Sequence, residues 1–116
     1  MLVVDDARDM RMLVRRVLAS RTDFDVVGEA DCAATAISQF HALRPDAIVL
    51  DYQMPDDNGL SVARQILGET PSVGIVLFTA YLSEEILEAA ALLGVRSCLS
   101  KDQLFQLPER LEATAS

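Results

Sequence analysis

Five short apolar runs, each followed by a segment of helical period, constrain this chain more than any other feature. Leu2-Val3-Val4, Val26-Val27, Ala47-Ile48-Val49-Leu50, Gly74-Ile75-Val76-Leu77-Phe78 and the weaker Ser97-Cys98-Leu99 are continuous and rich in β-branched residues, as expected of strands covered on both faces. Between them Met10, Leu13, Val14, Val17 and Leu18 recur at three and four, as do Ala33, Ala36, Ile37 and Phe40, then Leu60, Ala63 and Leu67, which marks amphipathic helices. Ile86, Ala89, Ala90 and Leu93 form a fourth helix, with Ser83 as N-cap and Gly94 as stop, and Leu104, Leu107 and Leu111 a fifth. Strand and helix in strict alternation require parallel strands joined by right-handed crossovers. The expected fold is α/β: a doubly wound five-stranded parallel sheet with helices on both faces. No repeat, low-complexity tract or linker interrupts the chain, so residues 1–116 are read as one domain.

Composition removes several classes of function. Ten basic against 18 acidic residues give a net charge of -8, the wrong sign for phosphate backbones, so this domain is not expected to bind nucleic acid directly. No apolar run reaches the roughly 18 residues needed to span a bilayer, and no basic stretch precedes a hydrophobic segment at Met1 to Asp6. Cys32 and Cys98 are too few for a disulfide framework and lack a metal-ligand spacing. A soluble cytoplasmic protein with no membrane partner is expected. His41 reads as a partly exposed helix residue without a catalytic role.

In doubly wound sheets, ligands sit outside the carboxyl ends of the strands, where strand order reverses. Those ends carry Asp5 and Asp6 after the first strand, Asp51 after the third, Thr79 after the fourth and Lys101 after the fifth. Singly, a carboxylate there can cap a helix and a lysine can be a solvated charge. Together they form one rim of three carboxylates, a hydroxyl and an ammonium. Like charges about 4 Å apart repel by roughly 4 kcal/mol at an effective dielectric near 20, so the rim needs cations. Lys101 supplies one charge, and a hard divalent ion such as Mg2+ suits carboxylates joined by a substrate phosphate. The absence of His and Cys from these loops argues against zinc.

These residues resemble the receiver domain of two-component response regulators, from Leu2 to about Leu111. The marks are Leu2-Val3-Val4-Asp5-Asp6, the segment Ile48-Val49-Leu50-Asp51-Tyr52-Gln53-Met54-Pro55-Asp56-Asp57-Asn58-Gly59, Leu77-Phe78-Thr79-Ala80, and Cys98-Leu99-Ser100-Lys101-Asp102. The resemblance implies a flavodoxin-like (βα)5 three-layer sandwich. It implies Asp51 as phosphoacceptor from a sensor histidine kinase, with Mg2+ held by Asp5, Asp6, Asp51 and the Gln53 backbone carbonyl. It further implies that Lys101 pairs with a phosphoryl oxygen, while Thr79 and the Ala80 amide contact the others as the switch. Lys101 followed by Asp102 rather than proline looks like the NarL-type subclass, whose full-length members carry a DNA-binding helix-turn-helix. Met1 falls within the family's first strand and the chain stops at Ala115-Ser116, so an output domain or downstream protein is expected outside it. A phosphorylation-dependent homodimer through the fourth and fifth helices is a further family expectation.

One position departs from the family pattern. Cys98 stands where a rotating aromatic is usual, and Tyr81, the nearest ring, lies just beyond Thr79. The output face is therefore expected to respond through the backbone from Thr79 to Ser83, and Tyr81 with Gln53 to shield the phosphoryl group from water. Asn58-Gly59 reads as a turn into the third helix. Three other functions compete. A flavodoxin-like carrier would need a Ser/Thr-rich loop where Asp5-Asp6-Ala7-Arg8 stands, and an aspartate-nucleophile phosphohydrolase would need an acid at Gln53. A binding module that is never phosphorylated would work through its fourth and fifth helices.

Overall fold

The computed structural model describes residues 1–21 and 24–115. Its elements follow in the order β1 (Leu2–Val4), α1 (Arg8–Ala19), β2 (Gly28–Ala30), α2 (Ala33–Leu43), β3 (Ala47–Leu50), α3 (Gly59–Glu69), β4 (Gly74–Thr79), α4 (Glu84–Leu93), β5 (Ser97–Ser100), a 3-10 segment (Lys101–Gln106) and α5 (Leu107–Ala115). The strands form one sheet in the order β2-β1-β3-β4-β5, and every pairing is parallel. The expected alternation is present. Ser116, the last residue of the expected domain, lies outside the described residues.

Alternate residues along each strand feed two cores, as the two-residue period of a strand requires. Leu2, Val4, Ile48, Leu50, Ile75 and Leu77 face Ala36 and Phe40 of α2, Val62 and Ile66 of α3, and Ala90 of α4. Val3, Val49, Val76 and Phe78 face Val14 and Leu18 of α1 and Leu107 and Leu111 of α5. The central strands are therefore buried along their whole length, which explains why they read as unbroken apolar runs. No helix among the described residues is long and apolar enough to cross a membrane.

The second strand lies two residues beyond the expected Val26-Val27. Val26 packs against the α1/α5 core instead, and Val27 is 45% exposed while its N–H donates to the Met1 carbonyl (2.9 Å). The residues that pair with Leu2, Val3 and Val4 are Gly28, Glu29 and Ala30. As an edge strand with one neighbour, β2 needs no continuous apolar run, so its hydrophobicity does not mark it.

Helix ends follow local chemistry. Ser83 caps α4, its hydroxyl accepting from the Ile86 N–H (3.2 Å), and Asn58 caps α3 by accepting from the Ser61 N–H (3.0 Å). Gly94 closes α4 at φ +96°, where an L side chain is strained. His41 is exposed and pairs with Glu69 of α3 (2.7 Å), consistent with a surface role. Two glycines accordingly predict opposite signs. Gly94→Ala should lower stability by about 1–2 kcal/mol through left-handed strain, whereas Gly68→Ala, inside α3 with open space around its Cα, should raise it by about 0.5–1 kcal/mol. Urea denaturation midpoints check both.

Candidate functional site

The strand order reverses between β1 and β3, and their register aligns Val4 with Leu50. The next residues, Asp5 and Asp51, therefore leave the sheet side by side. Ladder bonds fix both backbones: the Asp51 N–H donates to the Val4 carbonyl and the Asp5 N–H to the Ala30 carbonyl, each at 3.0 Å. Asp5 and Asp51 are 2% and 4% exposed, so neither charge is relieved by bulk water. Asp6 is exposed at the rim.

Lys101 arrives from the end of β5 and places Nζ 2.7 Å from Asp5 Oδ2 and 2.9 Å from Asp51 Oδ2. The contact to Asp51 is a well-directed hydrogen bond. Asp5 Oδ2 is paired by charge alone, off the axis of a hydrogen bond. Its other oxygen accepts from the Ala7 N–H (2.9 Å), and Asp51 Oδ1 accepts a long bond from the Gln53 N–H (3.4 Å).

One oxygen from each of Asp5, Asp6 and Asp51 lies within 4.8 Å of the others. Three carboxylates against one ammonium leave a double negative charge, which is what a divalent ion neutralises. The donors are hard oxygens, and the buried Asp5 Oδ2 retains coordination capacity, so this cluster fits Mg2+. Burial pushes the Asp5 carboxyl above its ordinary pKa; Lys101 and the Ala7 amide oppose the shift and Asp51 adds to it. Burial likewise disfavours the Lys101 ammonium, but Asp5 and Asp51 outweigh it and hold its pKa above the ordinary value. Lys101 is thus charged throughout the physiological range.

The other expected site residues take up graded positions. Thr79 ends β4, 3% exposed, and pairs with Ser100, the residue before Lys101. Gln53 sits in the β3–α3 loop, bridged to Asn58. Ala80 is exposed, and the Tyr81 ring stands 80% in solvent, so shielding by Tyr81 requires the ring to fold over the rim. Cys98 pairs with Leu77, two residues below Thr79, and packs against the α2–α4 core. Burial raises its thiol pKa, with the Arg110 guanidinium opposing. Cys98 is therefore a half-buried small residue below the rim.

Two supports escape the sequence reading. Arg11 on α1 donates from Nη1 to the Asp5 carbonyl (2.7 Å) and from Nε to Glu29 (3.0 Å). Arg15 holds the second Glu29 oxygen (2.6 Å), and the two guanidiniums lower the Glu29 pKa despite an opposing burial effect. Gly59 is needed for approach rather than for a turn: a Cβ there would fall 2.2 Å from the Asp51 carbonyl oxygen. Its N–H donates to the Tyr52 carbonyl (2.6 Å). A glycine at the first helical position, after a capping Asn, is the signal that could have shown this.

The carboxylate cluster and the lysine thus stand at the switch point of a doubly wound sheet, where such folds bind their ligands. A family model described as the response regulator receiver domain matches residues 1–112. The chain is 36% identical over 100 residues to the DNA-binding transcriptional activator DevR/DosR of Mycobacterium tuberculosis, covering 86% of this chain and 46% of that protein. It is 31% identical over 113 residues to the chemotaxis protein CheY of Listeria monocytogenes, covering 97% and 92%. A LuxR-family two-component response regulator from Aurantimonas superposes with a TM-score of 0.91 at 26% identity, covering 97% of this chain and 81% of that one. The chain belongs to the response regulator receiver domain family. It spans about half the length of DevR/DosR and of the VraR regulator of Staphylococcus saprophyticus.

Two outcomes follow from this geometry. Gly59→Ala should cost about 1–3 kcal/mol by overpacking against the Asp51 backbone, read from denaturation midpoints. In metal-free buffer Asp5→Asn should instead stabilise the protein, because burial disfavours the ionised carboxylate. The folded state holds the Asp5 proton more tightly than the unfolded chain, whose ordinary value is 3.8. The gain is therefore full above the folded pKa and disappears as pH falls to the unfolded value. Denaturation of both proteins across acidic pH, with chelator present, measures this.

Proposed function

We propose that this receiver domain accepts a phosphoryl group on Asp51 from a phosphohistidine of a sensor histidine kinase. The observation that carries this reading is the buried Asp51 carboxylate, bonded to Lys101 and grouped with Asp5 and Asp6. An Asp51 oxygen attacks phosphorus, the new P–O bond forms as the P–N bond breaks, and the imidazole retains the electron pair. Mg2+, held by Asp5, Asp6, Asp51 and the Gln53 carbonyl, would neutralise charge on the transferring group.

The chain's own residues do the rest. Lys101 transfers its ion pair from the Asp51 carboxylate to a phosphoryl oxygen, and Thr79 with the Ala80 amide donates to others. Drawing Thr79 inward moves the segment from Thr79 to Ser83, and with it the start of α4. Turning a 1:99 equilibrium into 99:1 takes about 5.5 kcal/mol, within reach of two or three charge-assisted bonds plus a partner that selects the active face. The likeness to DevR/DosR supports an output domain that controls transcription, and the domain would work in the cytoplasm beside its kinase. A homodimer stabilised by phosphorylation fits the same scheme.

A hydrolase acting on many substrates is disfavoured by Gln53 in place of an acid, and an inert binding module by the presence of every reactive group. Incubation with Mg2+ and acetyl phosphate, followed by intact mass, separates the three. The expected result is a gain of one phosphoryl group that requires Mg2+ and is lost in Asp51→Asn. Continuous phosphate release would indicate a hydrolase, and no gain an unphosphorylated module.

A further inference from the structure

The β3–α3 loop is held at two points. At its neck the Gly59 N–H donates to the Tyr52 carbonyl and Gln53 bridges Asn58. At its tip the Asp56 carboxylate reaches a helix more than 20 residues away in sequence: Oδ1 accepts from the Ala33 N–H (2.8 Å) and Oδ2 from the Ala34 N–H (3.0 Å). These are first-turn amides of α2, which no residue within a helix can satisfy. Cys32, the residue at the N-cap position of α2, makes no side-chain capping bond, so the cap comes from another loop.

The anchor is firm. α2 buries Ala33, Ala36 and Phe40 against the sheet, its N-terminal dipole favours an anion, and the two amides hold the Asp56 carboxyl below its ordinary pKa. Gln53, whose carbonyl would face the cation, belongs to the closed neck and stands three residues before the anchored Asp56.

We propose that Asp56 is a positioning residue: by capping α2 it holds the β3–α3 loop so that Gln53 and Asp51 keep the spacing a divalent ion requires. The inference rests on the cation site proposed above. Without the tip anchor, the loop must be ordered when the ion binds, and that ordering is subtracted from affinity.

Titration of the isolated domain with MgCl2 at constant ionic strength, followed by amide chemical shifts, tests this. Asp56→Ala should weaken Mg2+ binding by about tenfold, as loss of an outer support does in other metal sites. Asp56→Asn, which keeps one acceptor oxygen, should fall between it and the parent protein, and it carries the test should the alanine variant not fold. Asp57→Ala removes the same charge one residue along, where the carboxylate accepts from the Asn58 amide (2.8 Å) rather than from α2, and should bind nearly as the parent does. Hydrogen exchange at Ala33 and Ala34 should quicken in Asp56→Ala and not in Asp57→Ala.

Unchanged Mg2+ affinity in Asp56→Ala with a lower denaturation midpoint would reduce Asp56 to a helix cap and overturn the proposal. Equal losses in Asp56→Ala and Asp57→Ala would overturn it in favour of simple charge. If the parent protein showed no saturable Mg2+ shifts, the cation site itself would fall and this inference with it.

Discussion

Repulsion among Asp5, Asp6 and Asp51, only partly cancelled by Lys101, is the constraint around which the carboxyl edge of this sheet is arranged. Burial of two of the three carboxylates strengthens the repulsion by lowering the local dielectric. A chain built only for stability would place apolar or uncharged groups there, since buried ion pairs seldom repay their desolvation. The retained charge suits the edge to a cation and, in the proposed function, through it to phosphate. Lys101 makes the resting arrangement tolerable by pairing with both buried carboxylates.

The rest of the fold holds that edge in register. Two dry cores on opposite faces of the sheet keep β1 and β3 level at Val4 and Leu50. Arg11 fixes the Asp5 carbonyl from one side, and Gly59 lets α3 begin against the Asp51 backbone from the other. Arg11 and Gly59 both act on the backbones of Asp5 and Asp51, which leaves the two carboxylates free of these supports. Cys98, lying below the rim among core residues, leaves the β4–α4 segment as the path by which events at Asp51 could reach α4.

What was legible in the sequence was whatever depends on local pattern. β1, β3 and β4 are buried on both faces and announce themselves as apolar runs, so the sequence alone places Asp5, Asp51 and Thr79 at their ends. β2 could not, because an edge strand of Gly28, Glu29 and Ala30 owes its position to its neighbour and to the Arg11 and Arg15 contacts on Glu29. The long-range supports were equally hidden. Nothing within a few residues of Asp56 hints that its carboxylate ends on α2, and nothing near Arg11 hints that it holds the Asp5 carbonyl. Gly59 looked like turn chemistry, since close backbone approach and left-handed φ leave the same residue in a sequence.

The central claim is that the acidic edge takes a divalent ion and thereby a phosphoryl group, with Lys101 changing partners. A crystal structure grown with Mg2+ and beryllofluoride tests it most directly. The account predicts a Mg2+ ion coordinated by oxygens of Asp5, Asp6 and Asp51, with Lys101 Nζ moved from the Asp51 carboxylate to a fluoride. A metal bound elsewhere, or Lys101 still seated on Asp51 beside an attached beryllofluoride, would contradict it.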